Sequence, residues 1–205
     1  MSTYTAYQPS EELKLADGLY QTKLAGLYYL TYPRFADERG LFSDFFKIPK
    51  LNPLIGMEFS AKQVNFSYSY DKVIRGMHAE GWNKMITVLQ GKALCVLADI
   101  RPDSATFGQV EYFEIGFDPQ SSQGAGLIVS KGLANSICVL KGPVSYLYVV
   151  DALYEDRDKA GDQAISIFDP DLNIAWPYDR SELVISERDT QAITLRERFP
   201  DKFSS

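Results

Sequence analysis

Histidine occurs once in the 205-residue chain, at His78. Imidazole is the side chain whose unperturbed pKa, about 6.5, suits proton transfer near neutrality. Two cations stand close to it in sequence. Arg75 precedes it in Val73-Ile74-Arg75-Gly76-Met77-His78 and is equipped to hold a phosphate or an enolate oxygen; Lys84 opens the next apolar run. Metal chemistry is argued down by count, because a histidine-built site needs two or three imidazoles plus a carboxylate. His78-Ala79-Glu80 offers two ligands at most, so no metal is expected. No GxSxG elbow, GxGxxG turn or GxxxxGK[ST] loop occurs, which removes the usual serine-hydrolase, dinucleotide and P-loop signatures.

The elements that must position these groups read as strands. Short apolar runs follow one another from about Gly26 to Asp151: Leu27–Tyr32, Lys62–Tyr70, Val73–Met77, Met85–Leu89, Ala93–Ile100, Val110–Ile115, Leu127–Val129, Ile137–Leu140 and Val144–Val150. Pro33, Gly40, Gly91, Pro102, Gly108, Gly124, Gly132 and Gly142-Pro143 punctuate them. Many short strands with Gly/Pro turns and no alternating helices predict an antiparallel sandwich or barrel. Val64-Asn65-Phe66-Ser67-Tyr68 alternates as a strand with one buried face does. Along Val73–His78 the same alternation sends Arg75 and Met77 to one face and the residues beside them to the other. Helix signals are few. Ser10–Ala16 has a capping serine before an acidic turn, and Thr190–Phe199 could follow Asp189 as its cap. Pro49 and Pro53 break Pro49–Gly56 too much for a long helix.

Composition sets the outer bounds. The length fits one domain, read as an N-terminal arm over 1–25, a core over 26–155 and a C-terminal segment over 156–205 that contributes to the site. A net charge of −6 argues against general affinity for nucleic acid or an anionic membrane. No apolar run reaches the roughly 20 residues of a membrane span, and the polar N-terminus has no signal core. Cys95 and Cys138 sit in apolar runs without CxxC spacing and read as buried free thiols, so a cytoplasmic location is expected.

Taken in order, Phe35-Ala36-Asp37-Glu38-Arg39-Gly40, Gln63-Val64-Asn65, Ile74-Arg75-Gly76-Met77-His78, Ala98-Asp99-Ile100-Arg101, Ala105-Thr106-Phe107-Gly108 and Tyr146-Leu147-Tyr148 resemble the dTDP-4-dehydrorhamnose 3,5-epimerase family. No single piece is diagnostic, but six in the same order span most of the chain. The resemblance implies an all-β, antiparallel double-stranded jelly roll (cupin-like) with short terminal helices, a homodimer, and no metal or other cofactor. It implies His78 as the proton-abstracting base, Asp189 as the carboxylate that orients it, and Tyr148 as the acid that reprotonates from the opposite face of the sugar. Arg75, Lys84 and Asn135 then surround the ketone and phosphates. Arg39 and Phe42 reach a nucleotide in the neighbouring subunit, Tyr154 lines the sugar pocket, and Asp44, Gln63, Asn65 and Arg188 complete the expected binding set.

Departures from the family pattern concern the same region. Ala134-Asn135-Ser136-Ile137 stands where the family has A-H-G-F, and Cys95 where it has an aspartate. Asp44 is one methylene shorter than the family's glutamate, and Lys159 falls about where a glutamate lies near the nucleotide. These exchanges leave dTDP, CDP and GDP open as the nucleotide, and C3 alone or C3 and C5 open as the inverted centres. The expected activity is epimerisation of an NDP-4-keto-6-deoxy-sugar for deoxysugar or surface-polysaccharide synthesis. A keto-sugar isomerase of the same fold, and a non-catalytic nucleotide-sugar-binding jelly roll, are the alternatives.

Overall fold

The computed structural model of the protein describes residues 3–158 and 161–203. Among the described residues eleven strands are present: β1 (Lys14–Ala16), β2 (Leu19–Gln21), β3 (Leu27–Asp37), β4 (Gly40–Ser43), β5 (Gln63–Ser69), β6 (Ile74–Ala79), β7 (Lys84–Asp99), β8 (Val110–Gly116), β9 (Gln123–Val129), β10 (Leu133–Val150) and β11 (Gln163–Ala164). Every pairing between them is antiparallel. Three short α-helices, α1 (Ile48–Ile55), α2 (Glu187–Thr190) and α3 (Leu195–Arg198), lie outside the sheets.

The long strands β7 and β10 pair along their whole length and serve two sheets at once. The first half of β7 continues into β9 and β3, while the second half continues into β8. On the other flank, the second half of β10 carries β5 and its first half carries β6 and β11. Two runs expected on either side of Gly91, and two on either side of Gly142-Pro143, are therefore single bent strands. The ladder persists through both bends, with Lys92 opposite Lys141 and Gln90 opposite Ser145. Gly91 has φ of +76°, and a Cβ there would lie 2.4 Å from the Pro143 carbonyl oxygen, so the bend requires glycine.

Inward-facing side chains switch register across that bend, from Ile86 and Val88 to Ala93, Cys95 and Leu97. They meet Leu27, Leu127, Phe113 and Ile115 in the central core of a two-sheet sandwich. The outer face of the β6–β10–β7 sheet is sealed by Ile165, Ile167, Trp176 and Leu195 of the C-terminal segment. The outer face of the other sheet is sealed by Leu51 and Ile55 of α1 with Phe59. This is the expected jelly roll. Cys95 and Cys138 are buried free thiols in different cores, and burial pushes each up to about 12.

The terminal helices differ from expectation. Ser10–Ala16 makes only a 3-10 turn over Glu11–Leu13 before entering β1, because Lys14–Ala16 pairs with β2. Thr190–Phe199 is not one helix. Ser186 caps α2 by accepting from the Asp189 N–H at 3.1 Å, and Thr194 caps α3, so Asp189 lies inside the first turn rather than at a cap. Helix α1 forms despite two prolines. Pro49 sits in the first turn, where no N–H is needed, and burying Leu51 and Ile55 one turn apart offsets the bond lost at Pro53.

Candidate active site

Strand β6 delivers the histidine, and it does so through an irregularity. Arg75 lies opposite Ile137 and His78 opposite Asn135, so three steps on β6 face two on β10. Such a bulge shifts the alternation by one residue. Arg75 and His78, which strict alternation places on opposite faces, consequently line the same cavity, while Met77 is fully buried in the outer core. Gly76 accommodates the bulge at φ +134°, where a Cβ would sit 2.5 Å from Ser136 Cβ.

The C-terminal segment crosses the cavity and supplies the carboxylate. Val184 bridges Val73, with Ile74 N–H donating to the Val184 carbonyl at 3.0 Å. This docking brings α2 against β6. His78 Nε2 and Asp189 Oδ1 are 2.7 Å apart, and Asp189 Oδ2 accepts from the Gly76 N–H at 3.2 Å. Burial acts to raise the Asp189 carboxyl. The hydrogen bond and charge of His78, with donors from Gly76 and Ser186, outweigh it and hold the group below its ordinary value. With one ring nitrogen engaged in this way, the tautomer and orientation of the imidazole are set.

Strand β10 contributes the phenols and an amide from the sandwich interior. Asn135, Tyr146 and Tyr148 all line the cavity, whose volume is about 610 Å³. Tyr148 stands opposite Asn65 of β5, and Tyr146 opposite Ser67. Burial raises the Tyr148 phenol, the Glu80 charge adds to this, and Arg75 partly opposes it. A phenol is a proton donor at neutral pH without this help, and the shift extends that state further into alkali. Lys84, buried at the start of β7, donates to both Glu80 Oε2 and Asn135 Oδ1.

Nine of the thirteen expected site residues thus share one cavity: His78, Tyr148 and Asp189, with Asn65, Arg75, Lys84, Asn135, Tyr154 and Arg188. Four do not line it. Gln63 binds the Asn65 side chain at 2.6 Å and the Tyr154 N–H at 3.0 Å, so it ties the 151–158 loop to β5. Arg39 pairs with Asp37 on the β3–β4 hairpin, Phe42 stacks on Phe35 there with 63% of its surface exposed, and Asp44 pairs with Lys47. Lys159 lies outside the described residues. Sequence reasoning missed Arg157, which donates to Asp162 at 2.6 Å and lies 3.9 Å above the Tyr154 ring at the cavity edge. It also passed over Glu80, treated only as half of an inadequate metal site. The lysine four residues later was its one available signal. Among the described residues no group of three or more His, Cys, Asp or Glu is placed to hold a metal ion.

Comparison with known proteins agrees with this arrangement. The family profile described as dTDP-4-dehydrorhamnose 3,5-epimerase matches residues 21–197. A dTDP-4-dehydrorhamnose 3,5-epimerase of Streptomyces griseus is 35% identical over 167 residues, covering 80% of this chain and 79% of the relative. Among solved structures, dTDP-6-deoxy-D-glucose-3,5-epimerase of Legionella pneumophila, in complex with dTDP-4-keto-L-rhamnose, superposes with a TM-score of 0.79. It shows 27% identity over 90% of this chain and 95% of that one. A 3'-monoepimerase of Streptomyces bikiniensis, in complex with dTDP-quinovose, gives 0.76 and 28% identity over 87% and 89%. The chain is therefore a member of the dTDP-4-dehydrorhamnose 3,5-epimerase family, an enzyme of the isomerase class.

Proposed function

We propose that this enzyme inverts C3, alone or with C5, of a nucleoside-diphosphate 4-keto-6-deoxy-sugar, and that dTDP, the nucleotide of the relatives, is the carrier. The observation that carries the reading is the meeting of His78, its buried partner Asp189 and Tyr148 in one cavity. A hydrogen on carbon beside a ketone is acidic because its anion delocalises onto oxygen as an enolate. With Nε2–H donated to Asp189, the His78 Nδ1 lone pair takes that proton. Arg75 supplies positive charge, and Lys84 its remaining N–H donor, for the developing oxyanion. Tyr148 donates to the opposite face of the carbanion, which inverts the centre. The imidazolium then loses its proton, and the phenolate regains one, through solvent. No cofactor takes part.

The same reading gives a homodimer in which the β3–β4 hairpin, with Arg39 and Phe42, reaches the partner's nucleotide. Its support is the exposure of Phe35 and Phe42 on a hairpin that lies away from this chain's own cavity. The enzyme would act in the cytoplasm and supply a precursor for a deoxysugar-containing polysaccharide or glycoside.

The test is incorporation of solvent deuterium into dTDP-4-keto-6-deoxyglucose, followed by NMR. The wild type exchanges at C3, and the C5 signal separates one inverted centre from two. His78→Asn lowers exchange by about 10²- to 10⁴-fold. Undiminished exchange in that variant rejects the mechanism, and a carbonyl found at a new carbon replaces epimerisation by isomerisation.

A further inference from the structure

Glu80 has no role in the mechanism above, yet it stands on the cavity wall among the groups that do. It follows His78 by two residues, so the extended chain points both side chains to the same side. The Gly81 N–H, donating to Asp162 at 3.1 Å, fixes the turn just beyond it. Lys84 is almost wholly enclosed, its side chain 4% exposed, and its ammonium meets a carboxylate on one side and the Asn135 amide oxygen on the other. An ammonium has three N–H donors, so one remains for a ligand. A buried cation left without a counter-ion is costly, and it would also draw the proton from a neighbouring phenol.

We infer that Glu80 is a positioning residue of this enzyme: it clamps the Lys84 ammonium against Asn135, cancels its charge, and so gives the substrate a neutral wall beside Tyr148. The inference rests on the epimerase reading only for its kinetic consequence. Its electrostatic part stands on the cluster itself. The titratable and charged neighbours of Tyr148 around the cavity are Arg75 and His78 from β6, Glu80 just beyond it, Lys84 from β7, Tyr146 from β10, Tyr154 from the 151–158 loop, and Arg188 and Asp189 from α2. Arg157 and Asp162 lie beyond them on the same wall, and β5 presents only the uncharged Asn65 and Ser67. Of these neighbours Glu80 is the carboxylate that raises the Tyr148 phenol, and it raises Tyr146 as well. A carboxylate here thus does two things at once. It holds the lysine in place without leaving a bare cation, and it extends the pH range over which the acid of the reaction stays protonated.

The experiment compares wild type and Glu80→Gln, an isosteric change that keeps an oxygen for Lys84 but removes the charge. With tyrosine labelled at the ζ carbon, the Tyr148 resonance is assigned by its loss in Tyr148→Phe and titrated by NMR. Glu80→Gln is expected to lower the Tyr148 midpoint by about one unit, and the alkaline limb of the deuterium-exchange profile moves down with it. The exposed Lys84 charge also lowers KM for the anionic sugar nucleotide about two- to tenfold, while a packing defect would lower kcat without moving either midpoint. Glu80→Asp retains the charge, keeps the midpoint within a few tenths of a unit of wild type, and serves if Glu80→Gln fails to fold. A Tyr148 midpoint unchanged in Glu80→Gln, or one that falls equally in Glu80→Asp, overturns the proposal. A wild type that exchanges no deuterium with any nucleotide 4-keto-sugar defeats the epimerase reading instead, and the NMR titration still decides for Glu80.

Discussion

Asp99 and Asp189 are both removed from solvent, and both carboxyls lie below their ordinary values, but the two sit in opposite kinds of surroundings. Asp99 is surrounded by its own loop. Its Oδ1 accepts from Arg101 N–H and Nε at 3.1 and 2.8 Å, and its Oδ2 from Arg101 Nη2, Ser104 and Thr106 at 2.6, 2.5 and 2.6 Å. Every donor comes from within seven residues, and the carboxylate has no acceptor capacity left. Beside the local Ser186, Asp189 takes Gly76 and His78 from more than 100 residues away, and the second is an imidazole whose other nitrogen makes no hydrogen bond among the described residues. A carboxylate saturated by local donors closes a turn. One reached across the fold, holding a titratable ring against a cavity, is arranged for chemistry.

The largest expected difference between these two sites is in activity. Asp189→Asn removes the charge that favours the imidazolium and fixes its tautomer, so exchange falls by about 10²- to 10⁴-fold. Thermal unfolding should shift by only a few degrees, because the amide oxygen can still accept from Gly76. Asp99→Asn should leave exchange by the folded enzyme within about threefold of wild type. A large loss of turnover in Asp99→Asn at temperatures where it stays folded, or near-normal turnover in Asp189→Asn, breaks the distinction.

Stability should run the other way. Asp99→Asn places an amide NH2 among donors from Arg101, Ser104 and Thr106, which leaves buried groups unpaired. We expect a loss of about 2–4 kcal/mol, on the scale of removing one partner from a buried charged network. For a chain of this length that lowers the melting temperature by about 5–15 °C. Calorimetry of the two variants side by side measures it, and the comparison fails if Asp189→Asn proves the less stable.

How far the sequence foretold these features depends on whether their cause is local. The alternation of Val64–Tyr68 located β5 but not its orientation, since the polar Asn65 and Ser67 turn to the cavity while Val64, Phe66 and Tyr68 are exposed. Gly91 and Gly142-Pro143 read as turns because a sequence cannot tell a chain reversal from a bend that a partner strand follows. The β7–β10 ladder runs through both. Helix α1 was hidden by its prolines, and its reward, the contact of Leu51 and Ile55 with the sheet, is tertiary. In the site, resemblance to known epimerases singled out His78, Asp189 and Tyr148, and the fold places them together. Alternation alone separated Arg75 from His78, since the bulge that unites them is written in the pairing with Asn135 and Ile137 rather than in β6. Arg157 and Glu80 acquire meaning from Tyr154, Asp162 and Lys84, contacts that no spacing rule requires.

The smallest effect, and the one that sharpens the comparison, is the response to acid. At Asp99, as at Asp189, burial acts to raise the carboxyl, and the hydrogen bonds from Arg101, Ser104 and Thr106 outweigh it. A carboxyl lower in the folded than in the unfolded chain stabilises the fold at pH above the unfolded value, about 3.9. That stabilisation is lost as pH falls through the lower folded value. Stability, followed as melting temperature, should therefore be nearly flat from about pH 5 to 7 and decline below about pH 4, the free energy of unfolding falling by about 1.4 kcal/mol for each unit that separates the two values. Removing either carboxylate removes its share of the decline. Asp99→Asn and Asp189→Asn should each start lower at neutral pH and lose less on acidification than the wild type does. Should either variant fall as steeply as wild type between pH 5 and 2, that aspartate does not titrate with folding, and its apparent stabilisation by its donors is not real.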